Sequence, residues 1–140
     1  MIKAPTGSAD LQRGTNTFDF SLLAISSRTI GQVAVDINIG YTRRSGDGSN
    51  APTNATQWTL SLGGPFGGAF GWVVELFGFP GTSGPSGQAP SVGFLVGPTF
   101  LAREWLQLDA GVIIPVYGPQ PHALYAGTVY NVGGLFRSRR

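Results

Sequence analysis

The sequence contains no cysteine. Disulfides, zinc–thiolate sites and thiol nucleophiles are therefore excluded together. Charge is also scarce. Charged residues make up 11% of the chain, against about 25% in an average soluble domain. Three of the basic residues, Arg137, Arg139 and Arg140, crowd into the last few positions. No basic stripe interleaved with aromatics remains, so nucleic acid is not an expected partner. No apolar run approaches the roughly 18 residues of a membrane-crossing helix. There is one histidine, His122, set in Gly-Pro-Gln-Pro-His. A catalytic triad or a histidine metal site needs partners at suitable spacing, so His122 reads as a solvated loop residue. No metal, cofactor or enzymatic activity is expected. The stretch Gly63-Gly-Pro-Phe-Gly-Gly reads as a turn and not a phosphate loop, because neither Lys-Ser/Thr nor a helix follows it.

What the chain does have is glycine, proline and aromatic residues in regular order. It holds 22 Gly, 10 Pro, 9 Phe, 4 Tyr and 3 Trp in 140 residues. The Phe, Trp, Val, Ile and Leu are too frequent and too regular for disorder. Seven segments alternate apolar with small or polar residues: 17–26, 32–42, 58–62, 70–79, 91–101, 105–114 and 123–132. In the second, Val33, Val35, Ile37, Ile39 and Tyr41 share one face, and Ala34, Asp36, Asn38, Gly40 and Thr42 share the other. The sixth repeats the pattern, with Leu106, Leu108, Ala110, Val112 and Ile114 opposed to Gln107, Asp109, Gly111 and Ile113. Successive side chains of a strand point to opposite faces, so each segment predicts a strand with one greasy face. Helix is not expected, because Gly or Pro interrupts every candidate window.

The joints between these segments alternate short and long. Ser27 to Gly31, Gly63 to Ala69 and Ala102 to Glu104 are short. Arg43 to Gln57, Pro80 to Pro90 and Pro115 to His122 are long. Short turns at one end of a sheet and long loops at the other are the pattern of an outer-membrane β-barrel. Ten strand residues span about 33 Å, enough when tilted to cover the roughly 25 Å apolar band of such a barrel. The expectation is an all-β, antiparallel up-and-down (meander) β-barrel of outer-membrane type, with about seven or eight strands in a single domain over 1–140. Its location would be the bacterial outer membrane, with lipid around it.

The two faces then receive different roles. A charge turned to lipid at midplane is costly, so Asp19, Asp36, Asn38, Glu75, Gln107 and Asp109 are the lumen-facing candidates. Their bland role is a polar network filling the barrel, and their sharper role is a cation-favouring constriction or ligand contact. Aromatics gather near the strand ends, as in the girdles of membrane barrels. The girdle candidates are Tyr41, Trp58 and Tyr117 toward the long loops, and Trp72, Phe100 and Trp105 toward the short turns.

Strand parity adds a further expectation. The segment Pro5 to Asn16 looks like another long loop, and only Met1 to Ala4 stand before it to form a strand. Bacterial barrels have even strand numbers. Seven strands plus a stub imply lost N-terminal strands, or a first strand supplied by something else. Met1 to Gly7 hold no apolar h-region of a secretory leader, which also fits a mature or truncated piece. The sheet is expected to carry a short first strand or to be open.

Short motifs run through the chain: Lys3-Ala-Pro-Thr-Gly7, Asp19-Phe20-Ser21, Ser26-Ser27-Arg28, Asp36-Ile-Asn38-Ile-Gly40-Tyr41-Thr42, Glu75-Leu-Phe-Gly78, Leu108-Asp109-Ala110-Gly111 and Tyr125-Ala-Gly127. With these the chain resembles the C-terminal part of the transporter-like outer-membrane proteins linked to the meta-pathway of phenol degradation. The resemblance implies a β-barrel that passes small, often aromatic, hydrophobic compounds, and it implies no catalytic residues. Two alternatives stay open from the residues themselves. One is a structural barrel or fragment without transport. The other is a soluble, lipocalin-like β-barrel with an apolar ligand inside.

Overall fold

The structure is a computed structural model; it describes residues 1–4 and 15–131. Eight strands follow in chain order: β1 Ile2–Lys3, β2 Asp19–Ile30, β3 Val33–Arg44, β4 Asn54–Gly67, β5 Phe70–Phe79, β6 Ser91–Arg103, β7 Leu106–Tyr117 and β8 Ala123–Tyr130. They form one sheet in the order of the chain, every neighbour antiparallel. The meander is not closed: β1 pairs only with β2, and β8 only with β7. Among the described residues, β1 covers just the Asp19–Ser21 end of β2, through Lys3↔Asp19, Ile2↔Phe20 and mutual backbone bonds between Met1 and Ser21. The expected short first strand and the open sheet are both present.

Most strands are longer, and the short turns tighter, than the sequence predicts, while β5 keeps its expected bounds and β8 stops at Tyr130. Each short joint shrinks to two residues: Gly31–Gln32, Gly68–Ala69 and Glu104–Trp105. Gly31 and Gly68 take positive φ values of 64° and 60°, a region open to glycine at little cost. The long connections, 45–53, 80–90 and 118–122, all lie at the other end. The reading of Gly63-Gly-Pro-Phe-Gly as a turn is corrected, since β4 runs on to Gly67 with a bulge at Pro65/Gly67. Glycine and proline looked like loop residues because their packing partner lies on the next strand. Gly64 is opposite Trp72, and a Cβ on Gly64 would stand 3.2 Å from the indole Nε1. Residues 5–14 of the expected loop over Pro5 to Asn16, the expected strand end at Val132 and the basic tail lie outside the described residues.

The burial pattern is inverted relative to an ordinary globular domain. No hydrophobic side chain among the described residues is buried. Ile37, Ile39, Leu60, Phe70, Leu108, Val112 and Ile114 are all exposed. They occupy one face of the sheet, because Ile37 is paired with Leu60 and Leu60 with Leu76. The residues that are buried are Thr17, Asp19 and several glycines at close strand contacts. A continuous apolar row thus covers one face of the sheet, while the opposite face mixes small and polar side chains with apolar ones such as Leu23, Ile25, Phe77 and Phe79.

Candidate functional site

The registers place all six lumen-facing candidates on the face opposite the apolar row. Asp36 is level with Ser61, and Ser61 with Glu75, so two carboxylates sit in one cross-strand row with a hydroxyl between them. Asn38 lies next along β3 and donates from Nδ2 to Thr59 Oγ1 at 2.9 Å. Asp109 is level with Thr99 on β6 and Gly127 on β8. Glu75, Gln107 and Asp109 come together around a cavity of about 290 Å³ that Thr99 and Tyr125 also line. Tyr125 was not among the sequence candidates. It lines the same cavity as Asp109, and its ring lies over Gly111, where a Cβ would be 2.7 Å from Cε1. The signal was present in the alternation Tyr125-Ala-Gly127, which puts Tyr125 on the face of Asp109.

Asp19 stands apart from the other acids, at the long-loop rim. Its Oδ1 accepts from Thr17 Oγ1 at 2.6 Å. Its Oδ2 lies 3.0 Å from Lys3 Nζ and 3.6 Å from Arg44 Nε. Lys3 also donates to Thr15 Oγ1 at 2.6 Å, and Arg44 Nη1 donates to the Pro52 carbonyl at 3.0 Å. One carboxylate therefore ties β1, β2, β3 and the β3–β4 connection together. Asp19 is shielded and partnered, so it serves as a clasp, whereas Asp36 and Glu75 keep free carboxylates on the wall.

The girdle candidates fall into two levels. Tyr41, Trp58 and Tyr117 lie toward the long loops. Tyr41 Oη donates to Asn54 Oδ1 at 2.6 Å. Trp72 and Phe100 lie toward the short turns, where Phe100 meets Phe70 with ring centroids 5.0 Å apart. Trp105 sits in the β6–β7 turn and stacks on Tyr130 at 6.0 Å. Trp58 is level with Gly78, six positions along β5 from Trp72, so the two levels are about 20 Å apart along the strand at about 3.3 Å per residue.

Two of the long loops pack on one another at their end of the sheet. Ser86 gives its Oγ (2.5 Å) and its backbone N–H (3.1 Å) to the Gly48 carbonyl, joining the β3–β4 and β5–β6 connections. Beneath them is a vestibule of about 1120 Å³. Gln57, Thr42, Ser91 and Phe79 contribute to its wall from the strands, and Gln88 and Gln120 from the loops. Gly40 makes room for Gln57, whose side chain lies across it; a Cβ there would be 2.9 Å from Gln57 Cγ. Sequence reasoning missed Gln57, because position 57 had been assigned to a loop. Phe79, at the long-loop end of β5, lies on the inner face with Glu75. No group of three or more His, Cys, Asp or Glu among the described residues is arranged to hold a metal ion.

No curated protein and no solved structure matches the chain. A family model does. The one described as "Putative MetA-pathway of phenol degradation" aligns with residues 1–127. That match runs from the β1 stub through the meander into β8, and it takes in Asp19, Asp36, Glu75, Asp109 and the vestibule residues. The chain belongs to the family of the MetA pathway of phenol degradation.

Proposed function

We propose that this chain forms wall of an outer-membrane β-barrel that lets small molecules, aromatic or hydrophobic compounds among them, pass along its concave face. The observation that carries this reading is the inverted burial. Large apolar side chains cover the outer face and none is buried among the described residues. Water would penalise that face by roughly 25 cal/mol for each Å² of apolar surface, whereas lipid accepts it. The inner face carries Asp36, Asn38, Thr59, Ser61, Glu75 and Asp109, which a hydrated lumen can solvate. A lipocalin-like barrel would reverse these two faces. The two aromatic levels lie toward the two ends of the sheet, as the girdles of a membrane barrel do. The family description, which names phenol degradation, supports aromatic compounds as the class that passes.

One observation favours a second reading, in which the chain is a structural barrel piece without transport of its own. The β2 and β8 edges are unpaired along most of their length among the described residues. Lipid-exposed backbone groups cost several kcal/mol each. Reconstitution into liposomes followed by a swelling assay with small uncharged solutes separates the two. Solute-dependent swelling supports passage. Swelling no faster than in empty liposomes, with the chain shown to be inserted, favours the structural role.

A further inference from the structure

We infer that the loop-end vestibule is a binding site for an uncharged small molecule bearing several hydroxyl groups. The inference rests on the passage reading and names the class of solute the entrance would hold first. The argument starts from unspent hydrogen-bonding groups. The carboxamides of Gln57, Gln88 and Gln120 line the cavity, and none of the three side chains bonds to another described residue. Ser91 adds a hydroxyl that is likewise unpaired among the described residues. A primary amide both donates and accepts, as does a hydroxyl, so each of these groups is complementary to an alcohol or phenol O–H.

Charge in the cavity is already committed. No carboxylate among the described residues lines it. Arg44 is held by Asp19 and the Pro52 carbonyl, and the Met1 ammonium donates to the Ser21 carbonyl at 2.8 Å. An anion would have to compete with Asp19 for Arg44, and a free cation would find no counter-charge on the wall. The Phe79 ring supplies an apolar platform beside the amides, and its edge contact with Phe77, at 6.1 Å between centroids, fixes its position. A space of about 1120 Å³ is large for one small solute, so its amides are wetted or bridged by several hydroxyls at once. A compound with a single polar group would leave most of them without a ligand partner.

Two sources share this chemistry: a sugar or polyol, and an aromatic diol. The test is isothermal titration of the full chain refolded in detergent, blank-corrected with empty micelles. The probes are glucose, resorcinol and benzoate. Saturable binding of glucose or resorcinol, with benzoate weaker, supports the proposal, and whichever of the two binds identifies the source. Loss of two amide contacts in the loop variant Q88L/Q120L should weaken that binding roughly tenfold or more. Both positions lie outside the strands, so the sheet should form as before. Q57L should weaken binding similarly, while Q57N, which keeps an amide, should recover part of it. No binding of either hydroxylated probe, benzoate binding as tightly as they do, or unchanged affinity in Q88L/Q120L overturns it. Binding without liposome swelling would instead sink the passage reading and leave the site standing.

Discussion

The indole of Trp72 lies over the backbone of Gly64 on the neighbouring strand, so close that a Cβ there would stand 3.2 Å from its Nε1. The relationship recurs. Trp58 covers its cross-strand partner Gly78, Tyr125 covers Gly111, and Asp109 covers Gly127. In each pair a glycine on one strand makes a seat for a large side chain on the next. The high glycine content is thus part of how the sheet packs when it has no buried apolar core.

Substitution at these seats should therefore be costly in a graded way. A Cβ at Gly97 would overlap the Ala110 carbonyl oxygen, a backbone atom that cannot turn aside. At Gly64 it would press on the Trp72 side chain and the Gln32 carbonyl at 3.2 Å. Overpacking of this kind costs about 1–3 kcal/mol. G97A should sit at the upper end of that range and G64A at the lower. Urea unfolding of the detergent-refolded chain, followed by tryptophan fluorescence, measures both. Equal midpoints for the two variants would contradict the ranking.

The clasp at Asp19 makes a second prediction. D19N keeps the size of the side chain and removes its charge, leaving Lys3 and Arg44 without their shared partner. Losing charge-assisted contacts of this kind costs roughly 1.5–3 kcal/mol. The effect should be local, because β1 is attached through few other bonds. Hydrogen exchange should therefore speed up at the Ser21 amide, which bonds to the Met1 carbonyl, while amides in β5 and β6 stay protected. Acceleration spread evenly over the whole sheet would show that Asp19 acts on global stability instead.

Much of this architecture was legible because a strand's period of two is easy to read where one face is greasy. Val33 to Ile39 and Leu106 to Val112 announced both their strands and the side on which Asp36, Asn38, Gln107 and Asp109 would lie. The alternation of short and long joints gave the meander and the end at which the loops gather. What could not be read was cross-strand. Gly63 to Gly67 looked like a turn because the Trp72 ring that covers Gly64 belongs to the next strand. Gln57 looked like loop for the same reason: its seat is Gly40, well upstream in the chain. The role of Asp19 as a clasp depended on Lys3, Thr17 and Arg44 meeting at one rim. No spacing rule brings those residues together.

The charge of the inner wall leads to a third prediction. Asp36, Glu75 and Asp109 line it, while Lys3 and Arg44 are both occupied by Asp19 at the rim. Acidic rings favour cations in pores. If the chain conducts in planar bilayers, a salt gradient should give a reversal potential of the sign expected for cation preference. The double variant E75Q/D109N should move that potential toward zero. A wild-type preference for anions, or no shift in the variant, would show that these carboxylates do not set the field of the path.

The absence of cysteine makes the orientation of the two faces directly testable. Single cysteines can be introduced at Ile37, Ile39 and Leu108 on the apolar face, and at Asn38, Gln107 and Thr59 on the other. Neighbours such as Ile37 and Asn38 are adjacent in sequence, so loop flexibility or depth in the sheet affects them almost equally. Only the face differs, and a register slip of one residue would exchange them. After reconstitution into liposomes, the first set should resist a membrane-impermeant maleimide and react with a lipid-soluble one. The second set should react with the impermeant reagent from the aqueous path. Uniform labelling of both sets would mean that the apolar face is not against lipid. Reversed labelling would place the carboxylates of Asp36, Glu75 and Asp109 toward the bilayer, an arrangement costing several kcal/mol, and would overturn both the membrane reading and the lumen assigned to it.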